Sequence, residues 1–140
     1  MGNGLDGEVG GFLLDTHAFL WAAYESGIVK LGARARAVIE DPDALLYLSS
    51  ISVYEIANKH RLGKIPEYAS IAENLIATIK QLGAEELPVN FGHAYAAANF
   101  DWGNRDPFDR MIAAQACAEG LVLISADAAF AGLRRVEVLW

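Results

Sequence analysis

The chain has 140 residues, 54% of them hydrophobic, and a formal net charge of −7 from 18 Asp and Glu against 11 Lys and Arg. That length and apolar content suit one globular domain with a full core and exclude a disordered chain, and no apolar stretch approaches the ~20 residues of a membrane span. A lone Cys117 excludes an internal disulfide and a thiolate zinc cage, and the N-terminus lacks a basic segment followed by an apolar one, so the expected compartment is the reducing cytoplasm.

Residues 1–10, rich in glycine, are expected to form a flexible leader before a single domain over 11–140. Residues 11–14 predict a short buried strand ending at Asp15, and Thr16–Tyr24 a helix with Phe19, Leu20 and Ala23 on one face. A helix over Leu31–Glu40 stops at Asp41-Pro42, because the residue before proline avoids the helical region. Residues 44–48 predict a second strand running into Ser49-Ser50, followed by a helix over Ser52–Leu62 that carries Glu55 and closes at Gly63. Tyr68–Leu82 predicts one longer helix, with Ile71, Leu75, Ile76 and Ile79 at helical spacing and Gly83 at its end.

Residues 85–89 predict a third strand, and Asn90 caps an alanine-rich helix to Ala98. Asp106-Pro107 opens a helix to Gly120, since proline suits the first helical position. Residues 121–124 predict a fourth strand, 127–131 a helical turn and 135–139 a fifth, edge strand. Strands alternating with helices define an α/β class with a parallel sheet flanked by helices, and the continuous apolar strands agree with it.

If these strands are neighbours, Asp15, Glu55, Asp109 and Asp127 meet at one sheet edge, where open α/β sheets bind ligands. Each acid has a local explanation. Asp15 and Asp127 suit helix caps, Ser52-x-x-Glu55 is a capping box, Asp106 caps the helix at Pro107, and Asp109 in the first turn favours the helix dipole. Local capping does not explain why all of these helices should begin at the same edge. Two carboxylates about 5 Å apart repel by roughly 3 kcal/mol at an effective dielectric near 20. A cluster of four therefore takes up protons or binds cations, and an all-oxygen donor set suits Mg²⁺, with Mn²⁺ as substitute. Thr16 and Ser125 lie beside Asp15 and Asp127, where their hydroxyls are candidates to orient metal-bound water. His17 and His93 are weaker ligand candidates, and Trp21, Trp102 and Trp140 are expected to pack.

The acidic balance opposes nucleic-acid binding except where the cations cluster, as in Lys59-His60-Arg61 with Lys64, Arg34 with Arg36, and Arg105 with Arg110. A phospho-receiver domain would need a phosphoacceptor Asp after its middle strand, where this chain has Ser49-Ser50. A haloacid-dehalogenase-type phosphatase would need Asp-x-Asp where this chain has Asp15-Thr16-His17.

The segments Leu13-Leu14-Asp15-Thr16-His17, Ser49-Ser50-Ile51-Ser52-Val53-Tyr54-Glu55, Arg105-Asp106-Pro107-Phe108-Asp109-Arg110 and Ser125-Ala126-Asp127 together resemble the PIN domain, specifically the VapC-type toxin ribonucleases, over about residues 11–140. The resemblance implies a five-stranded parallel sheet of order 3-2-1-4-5. It also implies a catalytic and metal-binding quartet of Asp15, Glu55, Asp109 and Asp127, with Asp106 as an additional metal-shell acid or only a cap. It implies Mg²⁺-dependent hydrolysis of RNA, a cognate antitoxin whose C-terminal segment lies across the site, and a homodimer. Thr16, Lys59, Arg61, Arg110 and Ser125 are the expected substrate contacts, with Lys64 a further candidate for the RNA backbone. A housekeeping RNA-processing nuclease and a catalytically silent, partner-binding scaffold are the alternatives. The helices at 31–40 and 68–82 are the candidate partner surfaces.

Overall fold

The computed structural model describes residues 10–140, so the expected leader lies, apart from Gly10, outside the described residues. Five parallel strands, β1 (Phe12–Leu14), β2 (Leu46–Ser49), β3 (Ala84–Leu87), β4 (Val122–Ile124) and β5 (Val138–Leu139), form one sheet in the order β3-β2-β1-β4-β5. Around it pack α1 (Thr16–Ala23), α2 (Ala33–Glu40), α3 (Ser50–Arg61), α4 (Ala69–Glu73), α5 (Leu75–Leu82), α6 (Phe91–Asn99) and α7 (Pro107–Glu119). Short 3₁₀ turns occupy Glu25–Lys30, Pro66–Tyr68 and Ala128–Phe130.

Successive strand residues point to opposite faces of the sheet. Leu14 and Ile124 therefore join one core with Phe19, Ile56 and Leu75, while Leu13 and Leu123 join a second with Ile112 and Phe130. Both faces are covered, so β1 and β4 are apolar throughout instead of alternating. No described helix is long and apolar enough to cross a membrane.

The element order and types follow the sequence, with three departures. The expected helix over Tyr68–Leu82 is divided into a 3₁₀ turn, α4 and α5. The break falls at Asn74 (φ −125°, ψ 36°), whose amide Nδ2 donates to the Ser70 carbonyl at 3.0 Å and draws the chain out of helical geometry. Ile71, Leu75 and Ile79 are buried as expected, but Ile76 is 58% exposed, because it lies about 100° round the helix from the stripe at Leu75.

The second departure is at α3, which begins at Ser50 and not Ser52. Ser49 is its cap, accepting the Ile51 amide at 3.1 Å. Ser52 then lies inside the helix and buried, so Ser52-x-x-Glu55 is not a capping box. Third, β3 stops at Leu87 because Pro88 offers no amide to the ladder, and β5 is confined to two residues.

Gly120 closes α7 in the left-handed region (φ 65°, ψ 35°) and turns the chain into β4, as the sequence suggests. A Cβ added there meets nothing within 4 Å, so only backbone strain opposes substitution. Gly120→Ala is expected to lower unfolding stability by about 1 kcal/mol, with Gly120→Asn closer to the parent, measured by urea denaturation.

Candidate active site

The pairing register builds the site. Leu14 stands opposite both Leu48 and Ile124, so β1 and β4 end level and β2 runs one residue further, to Ser49. Asp15, Ser49 and Ser125 follow at that edge. The helix α7 feeds β4 through Gly120 and runs antiparallel to it, which brings the N-terminus of α7, with Asp106 and Asp109, back to the same edge. Asp15, Glu55, Asp109 and Asp127 all line one cavity of about 300 Å³ there. Thr16, His17 and Trp21 complete its α1 wall.

Each acid is held by its own contacts. Asp15 caps α1, its Oδ1 accepting the Ala18 amide at 2.8 Å, and its Oδ2 accepts the Ser125 hydroxyl. Ser125 Oγ in turn accepts the Asp127 amide at 3.0 Å, linking the two acids through one buried side chain. Glu55 Oε1 accepts the Thr16 hydroxyl at 2.7 Å, and Ser52 Oγ lies 3.0 Å behind Thr16. Glu55 Oε2 pairs with Lys59 Nζ at 2.7 Å, one turn along α3. Asn104 Nδ2 donates to Asp109 Oδ2 at 3.0 Å. Asp127 caps the 3₁₀ turn that follows it.

The electrostatics follow from this crowding. Burial pushes the Asp15 carboxyl above its ordinary value, against the Ser125 and Ala18 hydrogen bonds and nearby His17, with a further push from the Asp127 charge. Asp109 is raised chiefly by burial and then by the charges of Asp106, Asp127 and Glu55, with the Asn104 hydrogen bond opposing. Glu55 differs in having a cation, Lys59, against it.

Several expected roles change. Arg110 does not face the cavity. Its guanidinium donates to the carbonyls of Ala97 (2.9 Å), Phe100 (2.6 Å), Trp102 (2.8 Å) and Asn104 (2.8 Å), so its fork of donors is spent on the loop between α6 and α7. Lys59 is committed to Glu55 instead of standing free for phosphate. Thr16 and Ser125 are buried and donate to carboxylates, Thr16 to Glu55 and Ser125 to Asp15. Asp106 is the α7 cap, its Oδ1 accepting the amides of Phe108 at 2.8 Å and Asp109 at 3.3 Å, and it does not line the cavity. Arg61 is exposed and bonds Asn58, away from the cavity lining. His93 is buried as part of the α6 capping box, with Nε2 2.9 Å from Glu119.

Three supporting residues went unread in the sequence. Ser52 was hidden by its resemblance to a cap, and Arg110 by its charge. Asn104 had a signal, since Asn-x-Asp before proline is a turn in which the first side chain accepts the amide two residues on. Here Asn104 Oδ1 accepts the Asp106 amide at 2.9 Å.

The sequence matches the PIN domain family over residues 12–136, and the chain belongs to that family. Its fold is similar to those in solved complexes: VapBC from Salmonella typhimurium bound to DNA (19% identity, TM-score 0.68, covering 92% of this chain and 96% of that one) and FitAcB from Neisseria gonorrhoeae (21%, 0.62, 92% and 96%). It is also similar to VapBC-5 from Mycobacterium tuberculosis (24%, 0.58, 92% and 97%), a member of the VapBC family of toxin–antitoxin systems. A search of curated protein sequences gives no match.

Two outcomes are expected from these contacts. Arg110→Lys cannot reach four carbonyls and should lower stability by about 2–3 kcal/mol in urea unfolding, whereas Arg61→Lys should stay within about 0.5 kcal/mol of the parent. A stable Arg110→Lys protein that had lost only RNA affinity would return Arg110 to phosphate binding. For Asp15 the linkage sign is set by its raised value. Between the ordinary carboxylate range and its folded value the native state binds more protons than the unfolded one, so its contribution to stability falls as pH rises through that window. Asp15→Asn should therefore raise Tm at pH 7, and the gain should shrink as pH falls through the raised value and vanish below the ordinary carboxylate range.

Proposed function

We propose that this PIN domain is an endoribonuclease toxin, dependent on a divalent cation and neutralised by a cognate antitoxin. The carrying observation is the gathering of Asp15, Glu55, Asp109 and Asp127, from four separate segments, onto one cavity at the C-terminal edge of the sheet.

The donor set suits a hard cation. Among the described residues no three His, Cys, Asp or Glu side chains are gathered closely enough to hold one metal ion between them. Mg²⁺ does not require three, since it keeps several waters and is held through one or two carboxylates with substrate phosphates. Asp15 and Asp109 are the residues we assign to hold it, with Asp127 and Glu55 acting through waters of the ion and Asp106 confined to its cap. When bound, the ion would supply an acidic water and charge neutralisation for a phosphate oxygen. The chain's own part is positioning. Ser125 and the Ala18 amide aim Asp15, Asn104 aims Asp109, and Thr16 with Lys59 holds Glu55. Hydrolysis by water at phosphorus is proposed to leave 5′-phosphate and 3′-hydroxyl ends.

An antitoxin is proposed as partner because the solved relatives of this fold include toxin–antitoxin complexes. We expect its segment to present a basic side chain to the acids, supplying the charge the cavity lacks. A homodimer and cytoplasmic action belong to the same proposal. Arg61 and Lys64, exposed at the end of α3, remain candidates for more distant RNA backbone.

The test is cleavage of a mixed RNA substrate in Mg²⁺ and in EDTA, with Asp15→Asn as control and thermal melts alongside. Expected are Mg²⁺-dependent cleavage lowered by at least two orders of magnitude in Asp15→Asn, and a Mg²⁺-induced rise in Tm that is smaller in Asp15→Asn than in the parent. Full activity of a folded Asp15→Asn protein would refute the assignment. Absence of both cleavage and a metal-induced Tm shift would favour a silent, partner-binding scaffold.

A further inference from the structure

One wall of the acidic cavity is aromatic. His17 and Trp21 both line it from α1, a turn apart, with ring centroids 5.7 Å from one another and planes at 50°. Trp21 is half-buried and fixed from behind, packing edge-on against Trp140 at 5.7 Å, with Lys30 Nζ 5.8 Å from its ring centroid. His17 is exposed. Neither ring takes part in the hydrogen bonds that hold the four acids.

The charges around the cavity make this wall informative. A nucleic-acid strand brought to the acids meets like charge, and two cations close to them in the chain have partners of their own. Arg110 is tied to four backbone carbonyls and Lys59 to Glu55. A contact that does not depend on phosphate would add to whatever a bound cation supplies. Stacking of a base on an aromatic ring is such a contact, and it is tolerant of sequence because every base has a π face. A base inside a duplex is already stacked on both sides and offers no free face, whereas an unpaired base can be splayed onto a side chain.

We propose that His17, backed by Trp21, is a stacking platform for one unpaired base of an RNA strand whose backbone passes the four acids. The proposal rests on the ribonuclease function proposed above and adds the subsite that receives the base.

The probe is a short unstructured oligoribonucleotide, used alone and annealed to its complement. Both are titrated in Mg²⁺ onto the full chain carrying Asp15→Asn, so that the strand is bound and not cut. Adding His17→Ala is expected to weaken single-strand binding by about tenfold, His17→Phe to restore it, and the duplex to bind poorly throughout. Rescue by phenylalanine separates stacking from charge or proton transfer by the imidazole. His17 carries the test because it is exposed, whereas replacing Trp21 also removes packing against Trp140. Binding unchanged in His17→Ala, failure of His17→Phe to restore it, or duplex bound as tightly as the single strand would each overturn the platform. If the unsubstituted protein still cleaves RNA in those cases, the nuclease function stands without it. If the unsubstituted protein neither binds nor cleaves RNA in Mg²⁺, the ribonuclease function itself fails, and the platform with it.

Discussion

Parallel pairing of β1 between β2 and β4 is the constraint on which the site depends. The backbone ladder sets Leu14 level with Leu48 and Ile124, so the residues that follow each strand emerge together whatever their side chains prefer. Carboxylates in water would separate. Here they are attached to strand ends and helix starts whose positions are set by cores on both faces of the sheet, to which Leu13, Leu14, Leu123 and Ile124 contribute.

The neighbourhood divides the resulting strain unevenly. Glu55 is compensated within the chain by Lys59 and Thr16, whereas Asp15 and Asp109 are raised mainly by burial, with hydrogen bonds only partly opposing it. Among the described residues, neither Asp15 nor Asp109 has a basic side chain in an ion pair with it. Support also runs inward. Arg110 ties down the loop that carries Asn104, and Asn104 aims Asp109. A residue whose charge suggests substrate binding therefore acts on the site by holding a loop, and its rigid fork is suited to four carbonyls as a lysine ammonium is not.

Membership of the PIN family and the shared sheet order make the chain a member of a fold class, while its chemistry depends on the particular acids and their surroundings. In this chain the site is acidic on most sides and aromatic on one. That contrast is invisible in a net charge of −7 taken alone.

Much of the fold was legible because its signals are local. Short apolar runs, the Asp41-Pro42 and Asp106-Pro107 boundaries, and Gly83 and Gly120 at helix ends act within a few residues of themselves, and the strands and most helices fall where those signals put them. The positions of Asp15, Glu55, Asp109 and Asp127 at one edge were legible too, since right-handed parallel crossovers leave few ways to arrange such elements. What the sequence could not determine was where each long polar side chain would find its partner. Lys59 could face phosphate or Glu55, Arg110 could face RNA or a loop, and Ser52 could cap a helix or back up Thr16. Those choices depend on which atoms lie within hydrogen-bonding distance across tens of residues of chain, and only the packed tertiary structure brings those atoms together.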